Sequence, residues 1–448
     1  MAGRPKTVSL SGGAPSTSDD ALALEFAEAN ESYVRLSLAT GHWMIWDGSR
    51  WRSDRCTVRE SIRRICRNAA AAASDSAGAV RIASAAKVMA VEALARSDAR
   101  LMVDDERWDA NPWLLNTLSG AVDLVTGEIH THDPDLLMTR MAAASAEGLA
   151  PRWRDFLDSI TDRDADLQGY LQRVAGYCLT GSTREHAMFF LLGSGSNGKS
   201  VFTNALRTIL GDYAVASGSD LLTATNMTRH PTELAALRYV RLVLVPEVER
   251  RSRFAESRMK SLTGGDQIAA RLMRQDFSTF TPQFKLIITG NQMPVLDGVD
   301  EAVRRRLHII PFRRKISAAE RDVHLTEKLL AERDGILAWA VQGCLAWQET
   351  GLCPPASVRE LSELYFENQD AVGRFIVSCC EIDVGYSIGS TELYRFWSSW
   401  AREQSEQEGS QRAFVQELQA RGYLALRTAQ RRAIRGLRLK ARASSEVP

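Results

Sequence analysis

The 448-residue sequence balances 56 Lys and Arg against 55 Asp and Glu, for a formal net charge of +1, and is 45% apolar and 25% charged. That is the composition of an ordinary globular chain of two or three domains, and it excludes an overall basic field that would by itself announce a nucleic-acid partner. No apolar run approaches the length of a membrane span, and seven scattered cysteines without a C-x-x-C pair argue for a reducing, cytosolic setting and against structural zinc.

Residues 1–20 are polar and rich in Ser and Gly, the composition of a flexible leader rather than a signal peptide. Residues 21–148 mix helices with small hairpins. Ala21 to Leu38 reads as a helix, and HWMIWDGSRWRSD alternates aromatic and polar residues about Asp47-Gly48, as a hairpin does. An Ala-rich helical stretch follows from Val58 to about Arg100. NPWLLNTLSGAVDLVTGEIHTHDP then holds short strands punctuated by Ser119-Gly120 and Thr126-Gly127. The aromatic residues of this region suit a core better than a binding face.

Residues 149–318 open with helical patterns, WRDFLDSI and LQGYLQRVAGYCL, and continue with apolar runs at 239–245, 284–290 and 307–312. Such runs between helices predict buried parallel strands and hence an α/β layer. From 319 to 448 helices dominate. ELSELYFENQDAVGRFIVSCC and STELYRFWSSWARE are amphipathic, and AFVQELQARGYL resembles the last helix and turn of a small winged-helix domain. Arg421 to Arg442 carries about eight Arg and Lys with no Asp or Glu, which suits either a solvated face or a DNA-touching surface.

The strongest local signal is Gly193-Ser194-Gly195-Ser196-Asn197-Gly198-Lys199-Ser200, followed by Val201, with an apolar strand before it and a helix after it. This is G-x-x-x-x-G-K-[ST] in the context that motif requires. Glycines let the backbone turn its N–H groups onto an anion, and the helix N-terminus adds positive potential. Lys199 is placed to reach the β- and γ-phosphates of ATP, and the Ser200 hydroxyl to ligate Mg²⁺. Hydrolysis needs an acid at a neighbouring strand end, and LVLVPEVER supplies Glu247 and Glu249, two apart and so on one side of an extended chain. Either could hold Mg²⁺ or activate water. Asn291 ends the run LIITGN, where an amide can sense the γ-phosphate. Arg304, Arg305 and Arg306 precede the last apolar run, where they form either a solvated cluster or an arginine lent to a neighbouring subunit.

The ordered set GSGSNGKS, LVPEVER, KSLTGGDQIAARLMRQDFSTFTPQFKLIITGNQMP and DEAVRRRLHIIPF resembles the superfamily 3 helicases. More narrowly, it looks like the helicase portion of phage and plasmid primase-helicases, whose N-terminal partner domain is shared with poxvirus primase-helicases. GHWMIWDGSRWRSD with NPWLLNTLSGAVDLVTGEIHTHDP is similar to that partner domain, and ELYFENQDAVGRFI…ELYRFWSSW to the family's C-terminal segment. The resemblance implies an AAA+-like P-loop core between an α+β N-terminal domain and a helical, winged-helix-like C-terminal domain. It implies a homo-oligomeric ring, usually of six, that hydrolyses ATP with Mg²⁺ and moves 3′ to 5′ on single-stranded and forked DNA. Carried over, Lys199 and Ser200 serve nucleotide and metal, Glu247 and Glu249 the acidic motif, Asn291 the sensor, and Arg305 or Arg306 the trans finger. A pore hairpin falls in DQIAARLMRQDFSTFTPQF, with Lys260, Arg271 and Arg274 as phosphate contacts and Phe277 and Phe280 either stacking on bases or filling the core. Longer members of that family carry a primase or polymerase domain and often a zinc module ahead of this region; with about 20 leader residues and no cysteine cluster here, a helicase without its own primase activity is expected, which a separate primase or polymerase could partner. A replication initiator that binds origin DNA, or a small-substrate phosphotransferase, are the other classes the loop allows.

Overall fold

A computed structural model describes residues 16–54, 56–223, 231–246, 253–271, 277–296, 300–427 and 432–440 of the protein. Near the N-terminus a pair of helical spans is shorter than the periodicity predicts. The first helix is Asp19–Asn30, and Val34–Ser37 is already a strand, where the pattern reads as helix through Leu38. Asn30 ends the helix by donating its side-chain amide back to Phe26 O at 2.6 Å, and the β-branched residue that follows pairs with strand Trp43–Trp46 instead. The Ala-rich stretch is three helices, Thr57–Ala71, Ser76–Ile82 and Ala85–Ala95. Asp75 and Ser84 divide it, accepting from Gly78 N (2.7 Å) and Lys87 N (3.2 Å) as N-caps. The hairpin about Asp47 forms as expected, pairing Trp46 with Trp51. Its turn closes because Asp47 Oδ1 accepts from the backbone N–H of Ser49 (3.0 Å) and Arg50 (2.9 Å). Trp51 is buried against Trp108, so these aromatics are core.

The central layer begins with helices α1 (Pro151–Thr161) and α2 (Ala165–Leu179). Then come β1 (Met188–Leu192), α3 (Lys199–Leu210), β2 (Ala214–Ala216), β3 (Leu242–Val245), β4 (Lys285–Gly290) and β5 (Leu307–Pro311). The five strands form one parallel sheet in the order β5-β1-β4-β3-β2. Their near-continuous apolar sequence follows from burial of both faces. Phe189, Leu191, Leu244 and Ile287 face a cluster with Trp153, Phe202 and Trp347, while Met188, Phe190, Val243 and Ile288 face a second cluster with Phe254, Met259 and Phe366.

Helix α4 (Arg333–Thr350) packs on α2 with the two backbones in direct contact. A Cβ on Gly176 would lie 2.0 Å from Cys344 N, and one on Gly343 would lie 2.0 Å from Gln172 O. The first face also takes in the three-stranded antiparallel sheet Leu114–Thr117, Gly120–Asp123 and Ile129–His130, since Leu115, Val122 and Leu124 belong to the same cluster as Trp153 and Trp347. Two buried cations tie the layers together. Arg241 donates to Leu179 O and Leu114 O, each at 2.6 Å. Lys285 donates to Thr180 O and to Gln283 O (3.1 Å), and burial pushes its ammonium down to about 7. Both lie at the C-terminal end of α2, where carbonyls lack helical partners and positive charge is favoured.

After a helix at Ala356–Gln369, the remainder is a small separate cluster. Its elements run helix Ala371–Cys379, strand Cys380–Gly389, helices Ser390–Glu403 and Gln411–Ala420, then strands Leu424–Arg427 and Arg432–Leu439. Asp370 breaks what reads as one amphipathic helix, capping the second half through Gly373 N (2.8 Å) and pairing with Arg421. Trp397 stacks on Phe414 at 5.2 Å in the middle of this cluster. No described helix is long and apolar enough to cross a membrane.

Because α2 and α4 meet backbone to backbone, Gly343→Ala is expected to lower stability by about 1–3 kcal/mol through overpacking. Urea unfolding checks this: the midpoint should fall at unchanged slope, and an unchanged midpoint would refute the close approach.

Candidate functional site

The site forms where β1 ends. The chain turns through Gly193–Gly198 and enters α3 at Lys199, with Gly198 at φ +85° as the residue before the helix. Two of the glycines are required for space. A Cβ on Gly193 would lie 2.4 Å from Phe312 O, and one on Gly198 would lie 2.4 Å from Ile160 Cγ2 of α1. The loop is pinned from both sides, Gly193 N donating to Gly290 O (3.3 Å) and Ile316 N to Ser196 O (2.7 Å). Asn197, 4% exposed, donates to Phe312 O at 3.2 Å.

Lys199 is 6% exposed, and its ammonium donates to Gly193 O (2.5 Å), Asn197 Oδ1 (3.1 Å) and Asn291 Oδ1 (3.4 Å). The lysine, an internal brace of the loop and the amide at the end of β4 therefore converge, although 92 residues of chain separate Lys199 from Asn291. A cleft of about 420 Å³ opens there, bordered by Ser196, Lys199, Ser200, Pro246, Thr289 and Asn291. Ser200 is exposed on the first turn of α3. Pro246 brings the chain leaving β3 to this cleft, and Glu247 and Glu249 themselves lie outside the described residues. Among the described residues no group of three or more His, Cys, Asp or Glu could hold a metal alone. A hard cation such as Mg²⁺ keeps most of its water and needs few protein ligands, and the Ser200 hydroxyl could supply one.

A second cavity, about 710 Å³, lies across the loop and shares Ser196, Gly198 and Val201 with it. Phe156, Ile316 and Leu325 give it an apolar floor, and Arg314 and Arg321 stand at its rim. Arg321 donates to Ser196 Oγ at 3.0 Å, while Arg314 is held by Glu320 at 2.8 Å.

The three consecutive arginines separate sharply. Arg304 pairs with Glu363 at 2.9 Å and lies over the Phe366 ring. Arg306 is 8% exposed, donating through Nε to Thr263 Oγ1 (3.2 Å) and through Nη1 to Ala302 O (2.8 Å). Burial and the neighbouring Arg305 charge lower its pKa. Arg305 is exposed and has no ion pair among the described residues. Lys260 is tied to Asp300, whose other oxygen caps the short helix leading to the arginines by accepting from Val303 N at 2.8 Å. The two strands pair, Ile268–Arg271 with Phe277–Phe280, but Arg274, which lies between them in sequence, is outside the described residues, as is the Arg271 side chain. Of its two phenylalanines, Phe280 is core: it is 8% exposed and packs with Ile268 and Ala270.

A sequence family described as D5 N terminal like matches residues 23–162, and a family of unknown function, DUF5906, matches 191–306. Putative helicase L207/L206 of Acanthamoeba polyphaga mimivirus is 27% identical over 321 residues, covering 65% of this chain and 33% of that protein. Primase D5 of Fowlpox virus (strain NVSL) is 21% identical over 246 residues, 50% of this chain and 30% of its own length. The chain thus carries a D5 N terminal like region and is similar to viral proteins named as helicases and as a primase. It spans about a third of the length of these curated relatives. The apo structure of the NrS-1 C terminal region shares its fold, with a TM-score of 0.52 at 12% identity, covering 94% of this chain and 100% of that one.

The second match, 191–306, runs from the end of β1 to the last arginine and so brackets every residue named above from Gly193 to Arg306. Sequence reasoning missed the second cavity, whose walls come from α1 and from the segment after β5. The available signal was RRKISAAERD, a charged stretch directly after a buried strand. Removing Arg306 strands the groups it holds, so Arg306→Ala should cost about 1–3 kcal/mol, whereas Arg305→Ala should stay within about 0.5 kcal/mol. Equilibrium unfolding of the two variants checks the distinction, and equal losses would contradict it.

Proposed function

We propose that this chain is the ATP-hydrolysing motor of a DNA helicase, working in replication of a phage, a plasmid or an integrated element. The observation that carries the reading is the convergence of Lys199 and Asn291 on one loop of the form that cradles phosphates. The triphosphate would lie over the loop N–H groups and the α3 N-terminus, with its base and ribose in the larger cavity against Phe156 and Ile316. Ser200 and an acid of the β3 exit would hold Mg²⁺, whose chemistry there would be to offset the negative charge of the phosphates. Asn291 would orient the attacking water, and Glu247 or Glu249 would take its proton as the new bond to the γ-phosphorus forms and the bond to the β-phosphate oxygen breaks. Lys199 would offset the charge that gathers on the leaving oxygen.

The β5-β1-β4-β3-β2 order supports an AAA+-like core, and the exposure of Arg305 supports a finger supplied to a neighbouring subunit, hence a ring. Six subunits, 3′ to 5′ movement on single-stranded DNA, DNA contacts at the Arg271–Arg274 tip, and a primase or polymerase partner complete the proposal. A replication initiator or loader is the second reading. What favours it is the C-terminal α-β-α-α-β-β order, which supports a winged-helix domain.

Two measurements test this. ATP hydrolysis should rise with single-stranded DNA and vanish in Lys199→Ala; turnover retained in the variant would refute the assignment, and turnover indifferent to DNA would favour the initiator. Arg305→Ala should bind nucleotide normally yet lose about 10³-fold or more in turnover, partly restored on mixing with Lys199→Ala subunits. Absence of rescue would place the arginine in cis or outside the reaction.

A further inference from the structure

The C-terminal domain carries a groove that the ATPase reading does not use. It has a volume of about 640 Å³ and lies between helix Gln411–Ala420 and the strands Leu424–Arg427 and Arg432–Leu439. Arg412, Gln416 and Gln419 line one wall, spaced so that they share one stripe of the helix, and all three are exposed. Arg427 and Arg432, directly paired across the two strands, line the other. Among the described residues no carboxylate and no aromatic ring borders the groove.

A shortage of acids does not explain this excess of positive charge. In the same domain Arg374 pairs with Glu406, Arg402 with Glu408, Arg438 with Glu381, and Arg421 with Asp370 and Glu417. Arg412, Arg427 and Arg432 have no ion pair among the described residues. Three cations left on one concave face fit a polyanion. The lack of any ring argues against a single strand, whose bases need a stacking platform. A helix stripe of Arg and Gln beside a basic hairpin instead matches what a duplex offers. Arg and Gln are the side chains that pair bidentately with guanine and adenine edges in the major groove, which is wide enough for a helix, while the hairpin arginines are left for phosphates.

We infer that this face binds double-stranded DNA, the helix Gln411–Ala420 entering the major groove and Arg427 and Arg432 resting on the flanking backbone. The site would hold the duplex arm of a fork while the ATPase core handles the single strand, and it operates whether or not the core unwinds.

The test uses the full chain, a blunt duplex of about 24 base pairs and an oligo(dT) of equal length, with fluorescence anisotropy read from low to moderate salt; about two helical turns let the helix and both flanking arginines engage together. Wild type should bind the duplex with a strong salt dependence. The triple variant Arg412→Ala, Arg427→Ala, Arg432→Ala should weaken duplex binding about tenfold or more and flatten the log–log salt slope by about 2, at roughly 0.9 for each of the two phosphates no longer neutralised. Its oligo(dT) affinity and its ATP hydrolysis without DNA should match wild type, which also shows that the variant folds. An unchanged duplex affinity, a parallel loss on both DNAs, or a wild-type chain that does not bind duplex would each overturn the proposal.

Discussion

The register of β4 against β1 is the constraint on which the rest of the site depends. Gly290 lies opposite Leu192, so the residues that follow each strand, Asn291 and Gly193, emerge side by side. Side chains alternate along a strand, and a slip of one residue would send the amide to the opposite face and away from Lys199. The register is held by the core on both faces at once: Ile287 faces one cluster and Ile288 the other, and neither can exchange without exposing apolar surface. The chemistry at the strand ends is thus positioned by hydrophobic packing along the strand bodies.

That packing also explains why the central layer does not stand alone. One face of the sheet is closed by α2, α3 and α4, and the same cluster extends into the Leu114–Asp123 strand pair of the preceding region. The join is polar where it has to be. Arg241 and Lys285 are buried, and an uncompensated charge there would be strongly destabilising. Instead Arg241 donates to the carbonyls of Leu179, Asn111 and Leu114, Lys285 donates to those of Thr180, Ser182 and Gln283, and each lies over an aromatic ring, Tyr213 for Arg241 and Tyr177 for Lys285. The clamp sits at the strand end opposite the glycine-rich loop, so the frame is fixed at one end while the cleft lies at the other.

The arginine block shows how one short run of sequence divides its tasks. Successive residues in a helical turn point about 100° apart, so three adjacent guanidinium groups cannot share a role. Arg304 meets Glu363 from a later helix, Arg306 turns inward to Thr263, and Arg305 is left at the surface. Asp300 organises the run by capping its short helix and holding Lys260, which makes that lysine a member of the frame around the arginines.

The glycine-rich loop, its strand and its helix were legible in the sequence because their determinants are contiguous: glycines where the backbone must turn, then Lys199 and Ser200 on a helix start. The buried strands were legible for the same local reason, since a parallel strand covered on both faces must be apolar throughout. Helix ends were less so. Asn30, Asp75 and Asp370 end or restart helices through single hydrogen bonds that leave the apolar periodicity intact, so pattern alone runs past them. Tertiary structure alone decided that Asn291 meets Lys199, that Arg305 differs from its two neighbours, that Phe280 is core, and that a second cavity lies behind the loop. Each of those depends on a partner brought from tens of residues away or more, and side-chain identity at one position does not encode which distant surface the fold will place against it.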